Sequence, residues 1–401
     1  ANESFLELPM ELLEKAQYSM ADVAFNRYPD PYATELCESF GAYYGVDPAL
    51  VTAGNGSDEW LFIIATSFLM RGDKLLTVEP DFSMYRFYGS LAEAESVVYK
   101  KKEDLSIDVD DLIVQVRESG AKVVLFSNPC NPTSLGLRRE EVRKLITSVS
   151  ALVVLDEAYM DFWDQSLLGE VAQYDNLIIL RTCSKAFGMA AIRLGFAVAN
   201  PTLTRTLRAV KSPYNVNAIT QKMGALVMRS PELLHRALDE IILSRKALQA
   251  GLKDLETRYP EQMHVYDSYT NFVLVRMPRA KEIFEGLLSK GIAVRFMGDT
   301  LRITAGSEEE NAQSQQTYNT VVNGRTLGNN EVLTWQNGTA AAAQDPSVSM
   351  ESYMIQFGES DITLPKQPLL TMDLNQIYPV DIYFYLEGCD PDCSDDLSFD
   401  I

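Results

Sequence analysis

The chain is short of positive charge. Lysine and arginine number 35 against 56 aspartate and glutamate, a formal net charge of −21. That balance argues against nucleic acid as a partner, because phosphate backbones are held by basic surface. Cysteine is scarce as well: five, an odd number and scattered, form no disulfide framework, so the expected compartment is a reducing cytoplasm. No apolar run reaches membrane-spanning length. The longest strongly apolar stretch, from about Leu61 to Met70, falls short of the roughly 20 residues a bilayer demands. No basic segment followed by an apolar core opens the chain, so no secretory signal is expected. These absences leave a globular protein of 401 residues, long enough for about two or three domains.

The acidity is uneven. From Asn311 to Ile401 two basic residues, Arg325 and Lys366, stand against thirteen acidic ones. Up to Gly306 apolar strands alternate with helix-period segments, as in parallel α/β folds. Beyond Glu310 come Gln-, Asn- and Thr-rich stretches, the run Ala340 to Ala343, and β-like pieces such as Val380 to Leu386. A boundary is expected near residue 311. Before it, the pattern predicts helices over Glu11 to Tyr18 and Ala33 to Tyr44. It also predicts a short strand at Val51-Thr52-Ala53, a helix opened by Asp58 and running to Phe68, and strands at 74–78 and 96–99. A long helical stretch from Pro231 to about Tyr259 precedes strands at 271–275 and 301–304, which read as a smaller α+β unit.

Three apolar runs each end in polar residues. Val123-Val124-Leu125-Phe126 leads to Asn128-Pro129-Cys130-Asn131-Pro132-Thr133, Leu152-Val153-Val154-Leu155 to Asp156-Glu157-Ala158-Tyr159, and Leu177-Ile178-Ile179-Leu180 to Thr182-Cys183-Ser184-Lys185. Ligands of open α/β sheets bind at the carboxyl ends of the strands. A lysine desolvated there beside a cation such as Arg193 has a lowered pKa and becomes a competent Schiff-base nucleophile. A carboxylate such as Asp156 can keep a pyridine nitrogen protonated, and Tyr159 can hydrogen-bond a ring hydroxyl. Gly54-Asn55-Gly56-Ser57-Asp58 offers a tight turn into a helix, where backbone N–H groups bind phosphate. Thr182, Ser184 and Arg193 add hydroxyls and charge. The turn is no dinucleotide fingerprint, for the third glycine is missing. Taken singly, Lys185 reads as a surface lysine, Asp156 as a helix N-cap and the glycines as an ordinary turn. Together they point to a pyridoxal-phosphate enzyme, most simply an aminotransferase.

Asn26-Arg27-Tyr28-Pro29-Asp30-Pro31, Gly54 to Glu59, Asn128 to Thr133, Asp156 to Tyr159, Ser184 to Gly188 through Arg193-Leu194-Gly195, and Leu301 to Gly306 occur in this order. Over about residues 1–310 the chain thereby resembles the histidinol-phosphate aminotransferase family, of the fold-type I (aspartate aminotransferase) superfamily. The resemblance implies an α/β large domain over 26–215, with a mostly parallel sheet flanked by helices, and a small α+β domain over 216–310. An N-terminal arm or part of the small domain would occupy 1–25, leaving 311–401 as an unassigned acidic, β-rich extension. It implies pyridoxal 5'-phosphate as cofactor. Lys185 would carry it and shuttle the substrate Cα proton. Asp156 would face the ring nitrogen, Asn131 and Tyr159 the ring hydroxyl, and Phe82 the ring face. Gly56, Ser57, Asp58, Thr182, Ser184 and Arg193 would hold the phosphate. Tyr28 would reach that phosphate from the other subunit of a homodimer and also contact substrate. Asn2, Arg295 and Arg302 would contact substrate, the arginines meeting its anionic groups.

Cys130 and Ser134 depart from the family's usual Asn and Gly and are expected to have local effects, Cys130 as a buried, inert thiol. The family pattern also calls for more chain before Ala1 and a final helix after Glu308-Glu309-Glu310-Asn311. Here the helical pattern soon fails, so that element is expected to be missing. In the extension, the glycosylation-type triplet at Asn337 reads as unmodified. Cys389-Asp390-Pro391-Asp392-Cys393 lacks the second pair of a structural zinc site, and no metal is expected. Three functions follow: transfer of an amino group between L-histidinol phosphate and 2-oxoglutarate with ping-pong kinetics; a threonine-phosphate decarboxylase or aromatic aminotransferase reaction at the same site; or a scaffold carrying a C-terminal binding module. Joint retention of Lys185, Asp156, Tyr159 and Arg193 speaks against the last.

Overall fold

Three apolar runs set the frame, and in the computed structural model they lie side by side. The structure describes residues 3–289, 291–312, 314–315, 381–382 and 399–400. Val123–Ser127 (β4), Leu152–Asp156 (β5) and Leu177–Thr182 (β6) are buried almost throughout, as strands of a sheet covered on both faces must be. They are joined by Val51–Gly54 (β1), Lys74–Glu79 (β2), Glu95–Lys100 (β3) and Gly195–Ala199 (β7) in a seven-stranded sheet of order β1-β7-β6-β5-β4-β2-β3. β7 is antiparallel to β1 and β6, and the other neighbours are parallel.

The period-two alternation of strands feeds two cores. Leu76, Val124, Val153, Ile179 and Phe196 face Leu36 and Phe40 of Thr34–Tyr44 (α2), Leu112 of Val109–Ser119 (α5) and Leu145 of Arg139–Ser148 (α6). Leu75, Leu125, Val154, Ile178 and Leu180 face Trp60, Leu61 and Ile64 of Gly56–Phe68 (α3) and Leu207 of Pro201–Val210 (α7). With Gly54 to Ser57 read as a turn, Asp58 is the expected helix start; the structure opens α3 two residues earlier, at Gly56.

A second sheet, of His264–Val265 (β8), Phe272–Arg276 (β9), Arg295–Met297 (β10) and Thr300–Thr304 (β11), is antiparallel throughout in the order β10-β11-β9-β8. Its core joins Ala280–Ser289 (α10) to Leu248, Leu252 and Leu255 of the long helix Pro231–Arg258 (α9). The other end of α9, with Leu234 and Ile241, packs in the large core, as do Ala225, Val227 and Met228 of Ala218–Met228 (α8). Helix α8 and the first half of α9, which follow the division expected at residue 216, thus pack in the large core, and α9 serves both cores. The N-terminal segment also joins the large core: Leu12 of Met10–Met20 (α1) is part of it, with Phe5, Leu6 and Leu8 packed against it.

The expectation that the helical pattern fails after Asn311 needs correction. Residues 308–312 and 314–315 are helical. The Ser307 hydroxyl accepts from the Glu310 amide at 3.2 Å, and the Glu310 carboxylate accepts from the Ser307 amide at 2.7 Å, a reciprocal capping box. Asn311 donates to Ser244 of α9 at 2.8 Å. A boundary at 311 would cut this helix. By its contacts the chain divides into Ala1–Gly328 and Asn329–Ile401. In the second unit Asp381–Ile382 (β12) pairs antiparallel with Phe399–Asp400 (β13). Asn2, the Ala340 to Ala343 run, the Asn337 triplet and the Cys389 to Cys393 segment lie outside the described residues.

Candidate active site

Parallel register brings the ends of β4, β5 and β6 to one sheet edge: Ser127 pairs with Asp156, and Asp156 with Leu180. Asp156 is 4 % exposed. Its Oδ2 accepts the Tyr85 hydroxyl at 2.9 Å and its Oδ1 the Ala158 amide at 3.1 Å. Burial pushes the carboxyl up to about 7, with the charges of Asp81 and Asp58 adding to it and the two donors opposing. Among the described residues no lysine or arginine forms a salt bridge with it.

Lys185 follows β6 on a short loop, its Nζ 5.9 Å from the centre of the Tyr159 ring. Burial first, then the charges of Arg302 and Arg193, pull its pKa down to about 8 against the opposing charge of Glu3. The expected neighbour Arg193 therefore contributes less than Arg302, which arrives from the small domain. A neutral amine at moderate pH is the state a nucleophile needs. In the cofactor-free protein, labelling of Lys185 by an amine-reactive reagent should rise with a midpoint near pH 8, read by peptide mass spectrometry; a midpoint above 10 would show an ordinary exposed lysine.

Tyr159 is buried and meets Phe272 edge-on at 5.2 Å. Arg302, 8 % exposed, lies with its guanidinium 5.1 Å over the Phe272 ring and donates through Nη1 to Asn131 Oδ1. With Oδ1 so engaged, the Asn131 amide nitrogen is left as the donor for another ligand. Arg295 is exposed and pairs across β10 and β11 with Arg302, so both side chains stand on one face of the small sheet. Burial lowers the Arg302 pKa, and the Arg295 charge adds to that.

The candidate phosphate cradle is built by close backbone approach. A Cβ on Gly195 would sit 2.3 Å from the Gly56 carbonyl carbon and 2.6 Å from the Ser57 nitrogen, so strand β7 can lie against the start of α3 only without a side chain there. Gly56 has φ +75°, a left-handed conformation open to glycine at little cost. The Glu59 carboxylate accepts the Asn55 backbone amide at 2.6 Å, and the Asn55 side chain makes no capping bond to α3. Around its N-terminus Thr182 donates to Ser184 at 3.0 Å, and Arg193 reaches Ser184 at 3.5 Å and Asp58 at 3.2 Å. The Asp58 carboxylate is thus taken up by Arg193, which leaves its backbone amide, not its side chain, for an anion.

Phe82 sits edge-on to Tyr85 at 5.5 Å. Tyr28 is 80 % exposed and stacks on Tyr214 at 4.5 Å. Cys130 is buried and receives Lys101 Nζ at 2.9 Å; burial pushes its thiol up, in keeping with an inert cysteine. Ser134, at φ +61°, donates to the Asp267 carbonyl at 2.7 Å, tying the loop after β4 to the small domain. Tyr85, Asp81 and Glu3 were absent from the sequence-derived set, and nothing in their local pattern marks them.

A flat cofactor with a basic ring nitrogen and a phosphate fits these groups. The buried Asp156 carboxylate lacks a cation that such a nitrogen can supply. The α3 N-terminus, the glycine contacts and Arg193 suit a phosphate, and Lys185, its pKa pulled down to about 8, lies near Tyr159. Fold and site together define a pyridoxal-phosphate enzyme on an open α/β frame. The chain belongs to the aminotransferase class I and II family, whose model matches residues 1–314. It is 39 % identical over 318 residues to the histidinol-phosphate aminotransferase of Clostridium novyi (strain NT), covering 78 % of this chain and 88 % of that one. Among solved structures it resembles histidinol-phosphate aminotransferase from Sinorhizobium meliloti in complex with pyridoxal-5'-phosphate, with TM-score 0.74 and 23 % identity over 81 % of this chain and 90 % of that one. It also resembles L-threonine-O-3-phosphate decarboxylase from Porphyromonas gingivalis, with TM-score 0.67 and 23 % identity over 80 % and 98 %. At that identity both structures speak to fold alone.

Proposed function

We propose that this enzyme transfers the amino group between L-histidinol phosphate and 2-oxoglutarate, giving imidazole acetol phosphate and L-glutamate, as a step of histidine biosynthesis. The observation that carries the reading is the placing of Lys185, Asp156 and Tyr159 just after adjacent strands of one sheet, with Arg302 brought to Lys185 from the small domain, in a chain 39 % identical to a histidinol-phosphate aminotransferase along most of its length. Pyridoxal 5'-phosphate is the cofactor, and when bound it supplies an electron sink for the bonds at the substrate Cα. Lys185 would hold it and, through Nζ, would take and return the Cα proton. Its lowered pKa suits both tasks. Asp156 would keep the ring nitrogen in its charged form. Asn131 and Tyr159 would serve the ring hydroxyl, and Phe82 would lie against the ring. Gly56, Ser57, the Asp58 amide, Thr182, Ser184 and Arg193 would hold the phosphate. Arg302 and Arg295 meet the anionic groups of the substrates, and Asn2 completes the substrate set.

Tyr28, exposed on this chain, is assigned to the phosphate and substrate of a partner subunit, so the working form is a homodimer. Among the described residues no helix is long and apolar enough to cross a membrane. The buried free thiols of Cys37, Cys130 and Cys183 suit a reducing cytoplasm.

Arg302→Ala should raise KM for the anionic substrates by about 10²-fold, the scale of a lost hydrogen bond between charged groups, with a smaller change in kcat. Initial rates with both substrates varied test the reaction itself. Parallel double-reciprocal lines and glutamate formation support ping-pong amino transfer, whereas intersecting lines count against it.

A further inference from the structure

We infer that Tyr85 is a positioning residue of this site, fixing the Asp156 carboxylate for the cofactor's ring nitrogen; the inference rests on the cofactor reading above. Tyr85 stands in the first turn of Met84–Leu91 (α4) and is 1 % exposed, one of the largest fully buried side chains. Its hydroxyl donates to Asp156 Oδ2 at 2.9 Å while the Ala158 amide donates to Oδ1 at 3.1 Å. Each carboxylate oxygen thus has its own donor, one from α4 and one from the chain just after β5, and the carboxylate plane is pinned. The same ring meets Phe82 edge-on at 5.5 Å. One side chain therefore touches both the group assigned to the ring nitrogen and the ring assigned to the cofactor's face.

The direction of the bond follows from its surroundings. Burial and the charge of Asp156 raise the phenol well above its ordinary range, so Tyr85 stays a donor and favours the ionised carboxylate. The Ala158 amide favours the ionised form as well, but the charged groups facing Asp156 work against ionisation. Asp58 of α3 adds negative charge. So does Asp81, from the β2–α4 connection, which is hydrogen-bonded by Ser127 and lies near Lys101 after β3. Cys130 beside Lys101 is a thiol and contributes no cation. Without the Tyr85 hydroxyl, Asp156 would hold its proton to higher pH and meet a protonated ring nitrogen less often.

The test is equilibrium binding of pyridoxal phosphate to cofactor-free protein from pH 6 to 9, comparing wild type with Tyr85→Phe, which keeps the buried ring. Titrations of the cofactor, of Lys185 and of the phosphate are common to both proteins and cancel in the ratio of dissociation constants. We expect that ratio to be about tenfold below pH 7, the scale of one hydrogen bond to an ionised acceptor, and to fall toward unity at pH 9, where Asp156 is ionised in both. In an Asp156→Asn background the same tyrosine change should have no pH-dependent effect. A ratio of one at every pH, or a constant ratio of the kind a packing defect produces, overturns the role of Tyr85. A wild-type protein that binds no pyridoxal phosphate overturns the cofactor reading itself, and the inference with it.

Discussion

Lys185→Met is expected to lower turnover by at least about 10³-fold, the range of losses when a nucleophile or a general base is removed, and at the same time to make the cofactor-free protein harder to melt at pH 7. The two effects have one source. Lys185 is mostly buried among cationic neighbours, which pulls its pKa from 10.5 to about 8. Below pH 8 the native protein must hold a charge its surroundings disfavour. Between about 8 and 10.5 the unfolded chain binds more protons than the native one, so the lysine's cost to stability shrinks as pH rises through that window. Methionine fills similar space without the charge and removes the cost at neutral pH. Melting curves of wild type and variant at pH 7 and pH 10 check this: the variant's advantage should be larger at pH 7. A variant less stable at both pH values would show that Lys185 is held by favourable contacts, and that its site is not arranged to keep it reactive.

Asp156→Asn should separate binding from stability in the same way. Burial raises the carboxyl from 3.8 to about 7. As pH rises from about 4 to 7 the unfolded chain has released the proton that the native site retains, so stability falls through this window and the loss is complete above 7. At 1.36 kcal/mol per unit that shift corresponds to on the order of 4 kcal/mol. Asparagine recovers part of it, because its amide nitrogen faces one of the two donors now served by the carboxylate. The cofactor-free variant should therefore melt higher than wild type at pH 8 and differ little at pH 4, while pyridoxal phosphate binding and turnover drop together. Calorimetry at the two pH values is the measurement. An advantage of equal size at both would assign the effect to packing and not to ionisation.

The strands that position the site were legible because each is apolar throughout and buried on both faces, so the polar residues after it had to lie at a sheet edge. Lys185, Asp156 and Asn131 stand at that edge, but their surroundings are not written in the local sequence. Tyr85 reaches Asp156 across 71 positions of sequence, and its own neighbourhood reads as an ordinary helix start. The influence of Arg302 on Lys185 depends on how two domains meet, which strand periodicity does not encode. The start of α3 is less legible because Gly54 to Ser57 carry a turn signal, while the structure begins the helix at Gly56, where the backbone lies against Gly195. The packing of α9 was illegible for a related reason: its helical spacing does not say which core a turn enters, and α9 enters both. At the other end, the capping box at Ser307 and Glu310 opens a helix where the apolar pattern had faded.

The central claim is that this site exchanges amino groups with L-histidinol phosphate. The most direct test follows the visible absorption of the purified, cofactor-loaded protein during titration with L-histidinol phosphate and, separately, with O-phospho-L-threonine. Histidinol phosphate is expected to abolish the visible band, 2-oxoglutarate to restore it, and phosphothreonine to leave it in place. A protein whose band ignores histidinol phosphate but responds to phosphothreonine with release of carbon dioxide would contradict it.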